Sequence, residues 1–266
     1  MGQPTQPLSP PAAAGHFIEF RNVSKSFNDH NVLEDVSFFV DLGETCVIMG
    51  RSGVGKSVTL KLILGFLHAD SGRILVGGQD ITDWNEDHLT EIRKRVTMVF
   101  QSGALFDSLT VEENIAFPLE TRTDLTGEEK DARVKEFSEM LEVTQIEDKL
   151  PSELSTGMKR SVAIARALAQ NPEAILYDEP TTMVDPLMAV HTGDLILRLK
   201  EKFHKTSIVV THDTHLAKKL ADRIVFLHEG RVAYFGPWSG FVAAPEPFLR
   251  NFLRQDELTP ALDVTS

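Results

Sequence analysis

The sequence has little cysteine and fewer basic than acidic side chains. Only one of its 266 residues is a cysteine, Cys46, so no disulfide can form within the chain. Its apolar neighbours favour a small core residue, in a reducing compartment. The 27 Lys and Arg residues face 39 Asp and Glu residues, which gives a formal net charge of −12. Because binding to nucleic-acid backbones depends on clustered basic side chains, this balance argues against a nucleic-acid partner.

Long apolar runs are also missing from the sequence. No segment approaches the roughly 20 apolar residues that a helix needs to cross a bilayer, so we expect any membrane association to be peripheral. A chain of 266 residues is long enough to bury a sizeable core. We predict one α/β unit that carries an inserted subdomain.

A glycine-rich segment lies between an apolar run at 46–49 and a helical pattern at 58–64. Its residues are Gly50, Arg51, Ser52, Gly53, Val54, Gly55, Lys56 and Ser57, followed by Val58. The glycines allow a tight turn that points backbone N–H groups at a polyphosphate, and the helix N-terminus adds partial positive charge. We predict that Lys56 reaches the β- and γ-phosphates and that Ser57 offers its hydroxyl to Mg²⁺. A glycine-rich turn with an incidental lysine is the alternative.

The segments around this loop have strand patterns. Residues 1–15, rich in Pro, Gln and Ala, are predicted to be a disordered leader. Strands at 17–20 and 32–40, with turn residues at 28–31 between them, indicate a small antiparallel sheet, and a hairpin is predicted at 73–78. Phe27 precedes the first turn and fits two roles equally: stacking on an adenine ring, or packing against the protein.

The rest of the chain alternates between helical and strand patterns. A helix at 89–95 and a strand at 96–100 precede Gln101, and residues 103–155 are predicted to be a mostly helical insertion with periodicity from 126 to 150. Ser155 is a predicted N-cap for a helix at 155–170. The other predicted elements are strands at 174–177, 207–211, 223–227 and 231–234 and helices at 187–203 and 216–221.

Asp178, Glu179 and His212 each follow an apolar strand, as the glycine-rich loop does. The carboxyl ends of parallel strands meet at one edge of a sheet, so these residues can converge on one nucleotide. There the aspartate is expected to hold Mg²⁺ and the neighbouring carboxylate to polarise a water for attack on the γ-phosphate. Taken alone, the Asp-Glu pair fits a solvated loop and His212 a hydrogen-bonded loop histidine. His212 and His215 also have the spacing of a metal pair, but no further Cys or His supports zinc.

Together these motifs resemble the ATP-binding subunits of ABC transporters, and the resemblance covers nearly the whole chain after residue 16. Residues 50–57 resemble the Walker A motif, and residues 175–179 resemble the Walker B motif. Residues 154–158 are similar to the LSGGQ signature, and residues 182–185 stand where the D-loop belongs. The resemblance implies that ATP and Mg²⁺ bind here. The metal ligands it implies are Ser57, Gln101 and Asp178. The catalytic residues it implies are Glu179, His212 and Gln101. His212 is the switch histidine, and Gln101 also contacts the attacking water. The resemblance further places Asp185 in the D-loop and Phe27 at the adenine site.

The same resemblance implies the fold. It predicts an α/β P-loop NTPase of the ABC ATPase type, with a RecA-like core, an N-terminal antiparallel β subdomain and an inserted α-helical signature subdomain at about 103–155. The ATPase domain is expected to span 16–240, followed by a C-terminal helix and tail at 241–266. Four apolar residues there predict a helix docked on the core: Phe248, Leu249, Phe252 and Leu253.

The signature departs from the family pattern at two positions. Thr156 stands where the family has a glycine whose backbone approaches a γ-phosphate, so we expect its side chain to hinder closure. Met158 removes a glutamine amide, whereas Ser155 and Gly157 keep the hydroxyl and N–H donors. The resemblance implies a head-to-tail dimer in which Ser155, Thr156 and Gly157 complete the site of the second copy.

Residues 100–119 and 151–158 further resemble the Mla- and Mce-type ATPases, which drive lipid movement between bacterial membranes. This implies a peripheral position on the cytoplasmic face of the inner membrane, a permease docked near Gln101, and a lipid-binding Mce-domain subunit. Two alternatives stay open. One is an importer ATPase for another solute, because other chains choose the cargo; the other is a soluble nucleotide-gated ABC protein that is not tied to transport.

Overall fold

The computed structural model describes residues 15–28, 30–120 and 122–257. Its strands are β1 (Ile18–Phe27), β2 (His30–Val40), β3 (Thr45–Gly50), β4 (Ser71–Val76), β5 (Gln79–Asp80), β6 (Val96–Val99), β7 (Ala174–Asp178), β8 (Thr206–Val210), β9 (Arg223–His228) and β10 (Arg231–Gly236). Its helices are α1 (Lys56–Ile63), α2 (Glu86–Arg95), α3 (Val111–Glu120), α4 (Gly127–Met140), α5 (Thr156–Ala169), α6 (Pro186–Phe203), α7 (Thr214–Leu220), α8 (Trp238–Ala243) and α9 (Pro247–Glu257). The predicted leader at 1–14 and the end of the tail at 258–266 lie outside the described residues.

The larger sheet has the strand order β10-β9-β3-β8-β7-β6. Strands β6, β7, β8, β3 and β9 run parallel, and β10 joins the edge antiparallel to β9. Every residue of β3 and of β8 is buried. Such continuous burial is expected where helices cover both faces of a parallel sheet, and it explains why these strands read as uninterrupted apolar runs rather than as alternating patterns.

The smaller sheet is antiparallel, in the order β2-β1-β4-β5. It confirms the predicted pairing of the first two strands and the predicted hairpin, whose strands β4 and β5 flank Gly77 and Gly78. The stacked rings of Phe20 and Phe38, with centroids 4.6 Å apart, lie inside this subdomain. β1 is longer than predicted and reaches Phe27, so the candidate adenine-stacking residue lies at the tip of the first hairpin.

Helices occupy most of the region between β6 and β7. α4 starts with a capping box in which Thr126 and Glu129 exchange hydrogen bonds, and it ends at Met140, before Glu142 takes a φ of 57°. The helical periodicity at 126–150 is therefore not one helix: two single 3₁₀ turns, Thr144–Ile146 and Pro151–Glu153, follow α4. α3 and α4 both pack against α5, so this helical unit continues beyond residue 155 into the signature helix.

The chain after β10 packs back on the larger sheet. Phe241 of α8 and Leu249 of α9 are fully buried, and both belong to the same core as Phe226 of β9. The docking of the C-terminal apolar stripe was predicted, whereas α8 was not. α8 spans the predicted boundary at residue 240, and the assignment of domain bounds stays a prediction. Across the described ranges, no helix combines the length and apolar character that crossing a membrane requires.

Candidate nucleotide site

The register of the parallel strands brings the predicted site residues to one level. Ile48 of β3 and Asp178 of β7 both pair with Val210 of β8. The glycine-rich loop, Glu179 and His212 therefore all follow the same edge of the sheet, as the apolar strand runs predicted. This is the edge at which ligands bind in open α/β sheets.

The loop from Gly50 to Gly55 wraps closely around its surroundings. Gly55 has a φ of 106°, and a Cβ there would lie 2.6 Å from Leu33 Cδ2 and 3.0 Å from the Val32 carbonyl oxygen. Gly50 has a φ of 148°, and its Cβ would lie 2.5 Å from the Leu227 carbonyl oxygen. Only glycine fits these two positions, so the loop sequence is dictated by the turn and by its packing against β2 and β9.

The other residues of the loop differ in how exposed they are. Arg51, Ser52 and Gly53 are exposed, Val54 is half-buried, and the Val54 N–H donates to the Arg51 carbonyl at 3.3 Å. Val58 lies in the first turn of α1 and packs against the core beneath the loop. The exposed part of the loop is thus the part predicted to surround a polyphosphate.

Lys56 is the first residue of α1, and 6% of its surface is exposed. Its Nζ donates to the carbonyls of Gly50 and Arg51 at 3.0 and 3.2 Å, and it lies 3.3 Å from Glu179 Oε1. The ammonium group is therefore held inside the loop by two carbonyls and one carboxylate. A single charged donor at the centre of the turn fits the role predicted for it toward phosphate oxygens.

Ser57 and Asp178 meet although 121 residues separate them. The Ser57 hydroxyl donates to Asp178 Oδ1 at 2.8 Å. Burial raises the pKa of Asp178, and the hydrogen bond from Ser57 opposes that rise only in part. A hydroxyl and a carboxylate in contact are hard oxygen donors of the kind that Mg²⁺ prefers, and a cation would favour the ionised form of this buried carboxyl. These two residues therefore fit the predicted magnesium site.

The Glu179 carboxylate has three polar partners among the described residues. Besides its contact with Lys56, it accepts a hydrogen bond from the Thr182 hydroxyl at 3.0 Å and lies 2.9 Å from His212 Nδ1. Burial pushes the pKa of Glu179 upward, but hydrogen bonds from His212 and Thr182 and the charge on Lys56 outweigh it, so the pKa falls below its usual value. Its φ of 48° is unusual for a glutamate and turns the chain out of β7 toward these partners.

His212 lies two residues beyond the end of β8, in the loop toward α7. The hydrogen bond with Glu179 raises the pKa of His212, although burial opposes the rise. His215, the other half of the spacing that resembles a metal pair, faces Asp213 instead, with 3.9 Å between Nδ1 and Oδ1. The two histidines thus face different carboxylates.

Gln101 lies two residues beyond the end of β6, in a half-buried turn. Its backbone carbonyl lies 3.5 Å from Nη2 of Arg160, a residue of the signature helix α5. Arg166, farther along α5, donates to the carbonyls of Gly103 and Ala104 at 3.0 and 2.9 Å. The contacts of this turn therefore join it to α5, and the metal role of the Gln101 side chain stays a prediction.

The signature residues begin α5. Ser155 is the N-cap, as predicted, and its hydroxyl accepts from the Met158 N–H at 3.3 Å. Ser155 and Thr156 are exposed, whereas Gly157 is buried against Met188, whose Cε a Cβ would approach to 2.1 Å. The exposed hydroxyls and N–H groups of this helix start face away from the core, and their role toward a second copy stays a prediction.

Asp185 and Phe27 complete the predicted set. Asp185 is the N-cap of α6 and accepts from the Met188 N–H at 3.0 Å, so its D-loop position also begins a helix. Phe27 is 40% exposed, and Lys25 Nζ lies 5.6 Å from its ring centre. An aromatic ring exposed at a hairpin tip, on a subdomain that contacts Gly55 through β2, is available for stacking. That role also stays a prediction.

Three residues make contacts at this site that the sequence did not predict. Thr182 was assigned to the D-loop, but its hydroxyl contacts Glu179, and Thr181 likewise bonds to Asp213 at 3.2 Å. Arg160 was treated as one position of a helix, yet only 3% of it is exposed and it contacts two loops of the site. A charged residue on the apolar face of α5 was the available signal.

Comparisons with known proteins agree with this geometry. The model of the ABC transporter family matches residues 33–182. The chain is 35% identical over 246 residues to the probable ribonucleotide transport ATP-binding protein mkl of Mycobacterium leprae, covering 92% of this chain and 71% of that protein. It is also 35% identical over 257 residues to the methionine import ATP-binding protein MetN of Brucella abortus. That match covers 95% of this chain and 68% of MetN.

Solved structures extend the similarity to the fold. The dimeric ATP-binding cassette MJ0796, in a post-hydrolysis state bound to ADP and Pi, has a TM-score of 0.75 and 34% identity, covering 83% of this chain and 98% of that one. CbiO1 from Clostridium perfringens, part of the cbiONQ transporter complex, has a TM-score of 0.79 and 27% identity. The match covers 91% of this chain and 97% of the CbiO1 chain. The predicted ABC ATPase fold is confirmed. The chain therefore belongs to the ABC transporter family, as an ATP-hydrolysing subunit that uses ATP with Mg²⁺.

Proposed function

We propose that Glu179 is the general base of ATP hydrolysis at this site. The observation that carries the proposal is its set of three partners, Lys56, Thr182 and His212, all within 3.3 Å of its carboxylate. Because its pKa is lowered, the carboxylate is ionised at neutral pH and accepts a proton from the attacking water. His212 fixes the orientation of the carboxylate from the solvent side.

The other residues bind and orient the nucleotide. The backbone N–H groups of the loop at 50–55 and the N-terminus of α1 stabilise the phosphates, and Lys56 exchanges its carbonyl partners for phosphate oxygens. Ser57 and Asp178 hold Mg²⁺, with Gln101 as a third ligand. When bound, the metal neutralises charge that develops on the phosphates during transfer. Phe27 stacks on the adenine ring.

A second copy of the chain completes each site in this proposal. Ser155 and Thr156 are exposed at the start of α5, and the buried Gly157 follows them. In this proposal the donors of these residues reach a nucleotide held by another chain. The solved cassette MJ0796, bound to ADP and Pi, is dimeric, which supports a pair. The proposed pair is head-to-tail and uses the signature of each copy. Binding of ATP closes the pair and hydrolysis reopens it.

The groove beside Gln101 is the proposed docking surface for the permease. It encloses about 330 Å³ between the larger sheet and the helical unit. Three of its rings, Phe66, Phe106 and Phe117, are 42–49% exposed. An exposed aromatic groove of this kind marks an interaction site. Its contact with the Gln101 turn lets motion of α5 pass to a membrane subunit.

The proposed cargo is a phospholipid or another lipid, moved between bacterial membranes from the cytoplasmic face of the inner membrane, with an Mce-domain subunit reached through the permease. This part rests on the resemblance of residues 100–119 and 151–158. A small-solute importer is the second candidate. The relatives named for ribonucleotide transport and for methionine import favour it.

Phosphate release by purified protein tests the catalytic proposal. We expect Glu179→Gln to lower kcat by about 10²-fold or more while ATP still binds. Glu201→Gln, the same change at an exposed position of α6, serves as the control. Equal turnover by wild type and Glu179→Gln would remove Glu179 from the chemistry.

Cargo is tested with the complex from native membranes. The permease that co-purifies is reconstituted with this chain, and transfer of labelled phospholipid is compared with uptake of ribonucleotide and methionine. ATP-dependent lipid transfer that Glu179→Gln abolishes is the expected result. ATP-driven uptake of a small solute, without lipid transfer, would replace the lipid assignment by the importer.

A further inference from the structure

Arg160 is a charged residue in the buried part of the signature helix. Only 3% of its surface is exposed, and the contacts of its guanidinium are with backbone carbonyls rather than with a carboxylate. Burial without a counter-charge lowers its pKa below the usual value for arginine. A buried charge of this kind costs free energy unless it is paired or hydrogen-bonded.

The contacts of Arg160 join three parts of the site. Nη2 donates to the carbonyl of Thr182 and, more weakly, to that of Gln101, 3.5 Å away. Nε and Nη1 are buried without a hydrogen-bond partner in the described part of the chain. One side chain on α5 therefore reaches both the turn after β6 and the turn after β7.

The second of these turns holds Glu179. Thr182 bonds to Glu179 twice: its N–H donates to the Glu179 carbonyl at 3.2 Å, and its hydroxyl donates to the carboxylate at 3.0 Å. A shift of the Thr182 carbonyl thus moves a hydroxyl that orients the carboxylate. The sequence of contacts runs from Arg160 on α5 to Thr182 and then to Glu179.

We propose that Arg160 is a positioning residue that links the placement of the signature helix to the orientation of Glu179 in the same chain. The inference rests on the proposed role of Glu179 as general base. Ser155, five residues before Arg160, is one of the residues proposed above to face the nucleotide of a second copy. Engagement of the signature in one site therefore sets the alignment of the base in the other. The two nitrogens that lack a partner among the described residues, Nε and Nη1, allow Arg160 to donate to a further acceptor as α5 moves.

Steady-state ATPase kinetics of Arg160→Met test the link. Methionine fills similar space and removes the donors, so we expect kcat to fall by about tenfold to a hundredfold while KM changes less than about twofold. Arg160→Lys, which keeps the charge and one donating nitrogen, should recover part of the loss. The matched control is Lys159→Met on the same helix, which should keep the wild-type kcat.

A double-mutant cycle separates positioning from a merely structural role. If Arg160 acts through Thr182, then Arg160→Met combined with Thr182→Val loses little more kcat than the more damaging single change. Additive losses, an unchanged kcat in Arg160→Met, or an equal loss in Lys159→Met would overturn the proposal. Arg160→Lys with Thr182→Val supplies the same cycle should Arg160→Met fail to fold.

Glu179→Gln, assayed alongside, keeps the two proposals apart. If it abolishes turnover and Arg160→Met does not lower it, the link fails and the base stands. If Glu179→Gln turns over like wild type, the base assignment fails, and the link to it fails for that reason.

Discussion

His212 Nδ1 lies 2.9 Å from Glu179 Oε2, although 33 residues separate the two in the chain. The contact follows from the sheet, because Asp178 and Val210, which precede them, are paired across β7 and β8. The hydrogen bond raises the pKa of His212. The pKa of Glu179 is lowered, since its partners outweigh the effect of burial. Both shifts favour the ionised pair.

The first prediction concerns the pH dependence of this pair. The raised pKa of His212 adds stability that is fully present below its usual value of 6.5 and is lost as pH rises through the folded value. The lowered pKa of Glu179 adds stability that is present above its usual value of 4.5 and is lost as pH falls through the folded value. We therefore expect the pair to stabilise the nucleotide-free protein most between these two values.

Thermal unfolding of wild type, Glu179→Gln, His212→Gln and the double variant measures this coupling. The coupling in Tm should be larger near pH 5.5 than near pH 9, because the contribution of His212 is lost as pH rises through its folded pKa. The control cycle replaces His212→Gln with His215→Gln, because His215 faces Asp213 rather than Glu179. Equal coupling at both pH values would contradict an ionised pair.

The second prediction concerns Mg²⁺ at Ser57 and Asp178. Their contact at 2.8 Å places the two predicted ligands together, so removing the carboxylate charge should weaken the metal site. We expect Asp178→Asn to raise the Mg²⁺ concentration for half-maximal ATPase activity by at least about tenfold. Asp131→Asn makes the same change on an exposed face of α4 and is the control. An unchanged Mg²⁺ requirement in Asp178→Asn would exclude this carboxylate from the site.

The third prediction separates backbone strain from packing in the glycine-rich loop. Gly55→Ala places a methyl group against Leu33 and Val32 at a φ of 106°, whereas Gly53→Ala, at a φ of 80°, meets nothing within 4 Å. Strain alone costs about 1–3 kcal/mol, so we expect Gly53→Ala to lower the free energy of unfolding within that range and Gly55→Ala to lower it further. Denaturant unfolding at several concentrations of ATP gives both stability and nucleotide affinity. Equal losses in the two variants would argue against the close approach of β2.

The sequence was sufficient to predict most of the fold and the position of the site. Apolar runs that end in Asp178, His212 and the glycine-rich loop place those residues at one sheet edge, because parallel strands share an edge. Periodicity did not predict where α4 ends, since Glu142 leaves the helix through a left-handed φ of 57° without a glycine. α8 was missed because a helix of six residues is too short to show periodicity.

The details of the site depended on packing that local pattern does not encode. Lys56 follows β3 and the glycine-rich loop, and Glu179 follows β7. Because β3 and β7 lie on either side of β8, Lys56 Nζ comes within 3.3 Å of Glu179 Oε1. Arg160 contacts Thr182 because α5 packs against β6, which places Arg160 within reach of the turn that follows the neighbouring strand β7. A charged residue on an apolar helix face indicates a buried polar contact. Which residues it contacts depends on the tertiary packing, which the local sequence does not encode.

The fourth prediction concerns the signature residue that departs from the family. Thr156 is the exposed first residue of α5, where its side chain stands beside the donors proposed to meet the nucleotide of a second copy. Removing the Thr156 side chain should ease the approach of the second copy, at a cost in helix stability of no more than about 1 kcal/mol.

In a Glu179→Gln background, where ATP stays bound, we expect the ATP concentration for half-maximal dimer formation to fall in the order Thr156, Thr156→Ala, Thr156→Gly. Sedimentation velocity at a series of ATP concentrations gives these midpoints. Because alanine keeps the Cβ and loses only the branch, an alanine midpoint equal to that of glycine would assign the hindrance to the branch, whereas three equal midpoints would show that this side chain does not face the second copy.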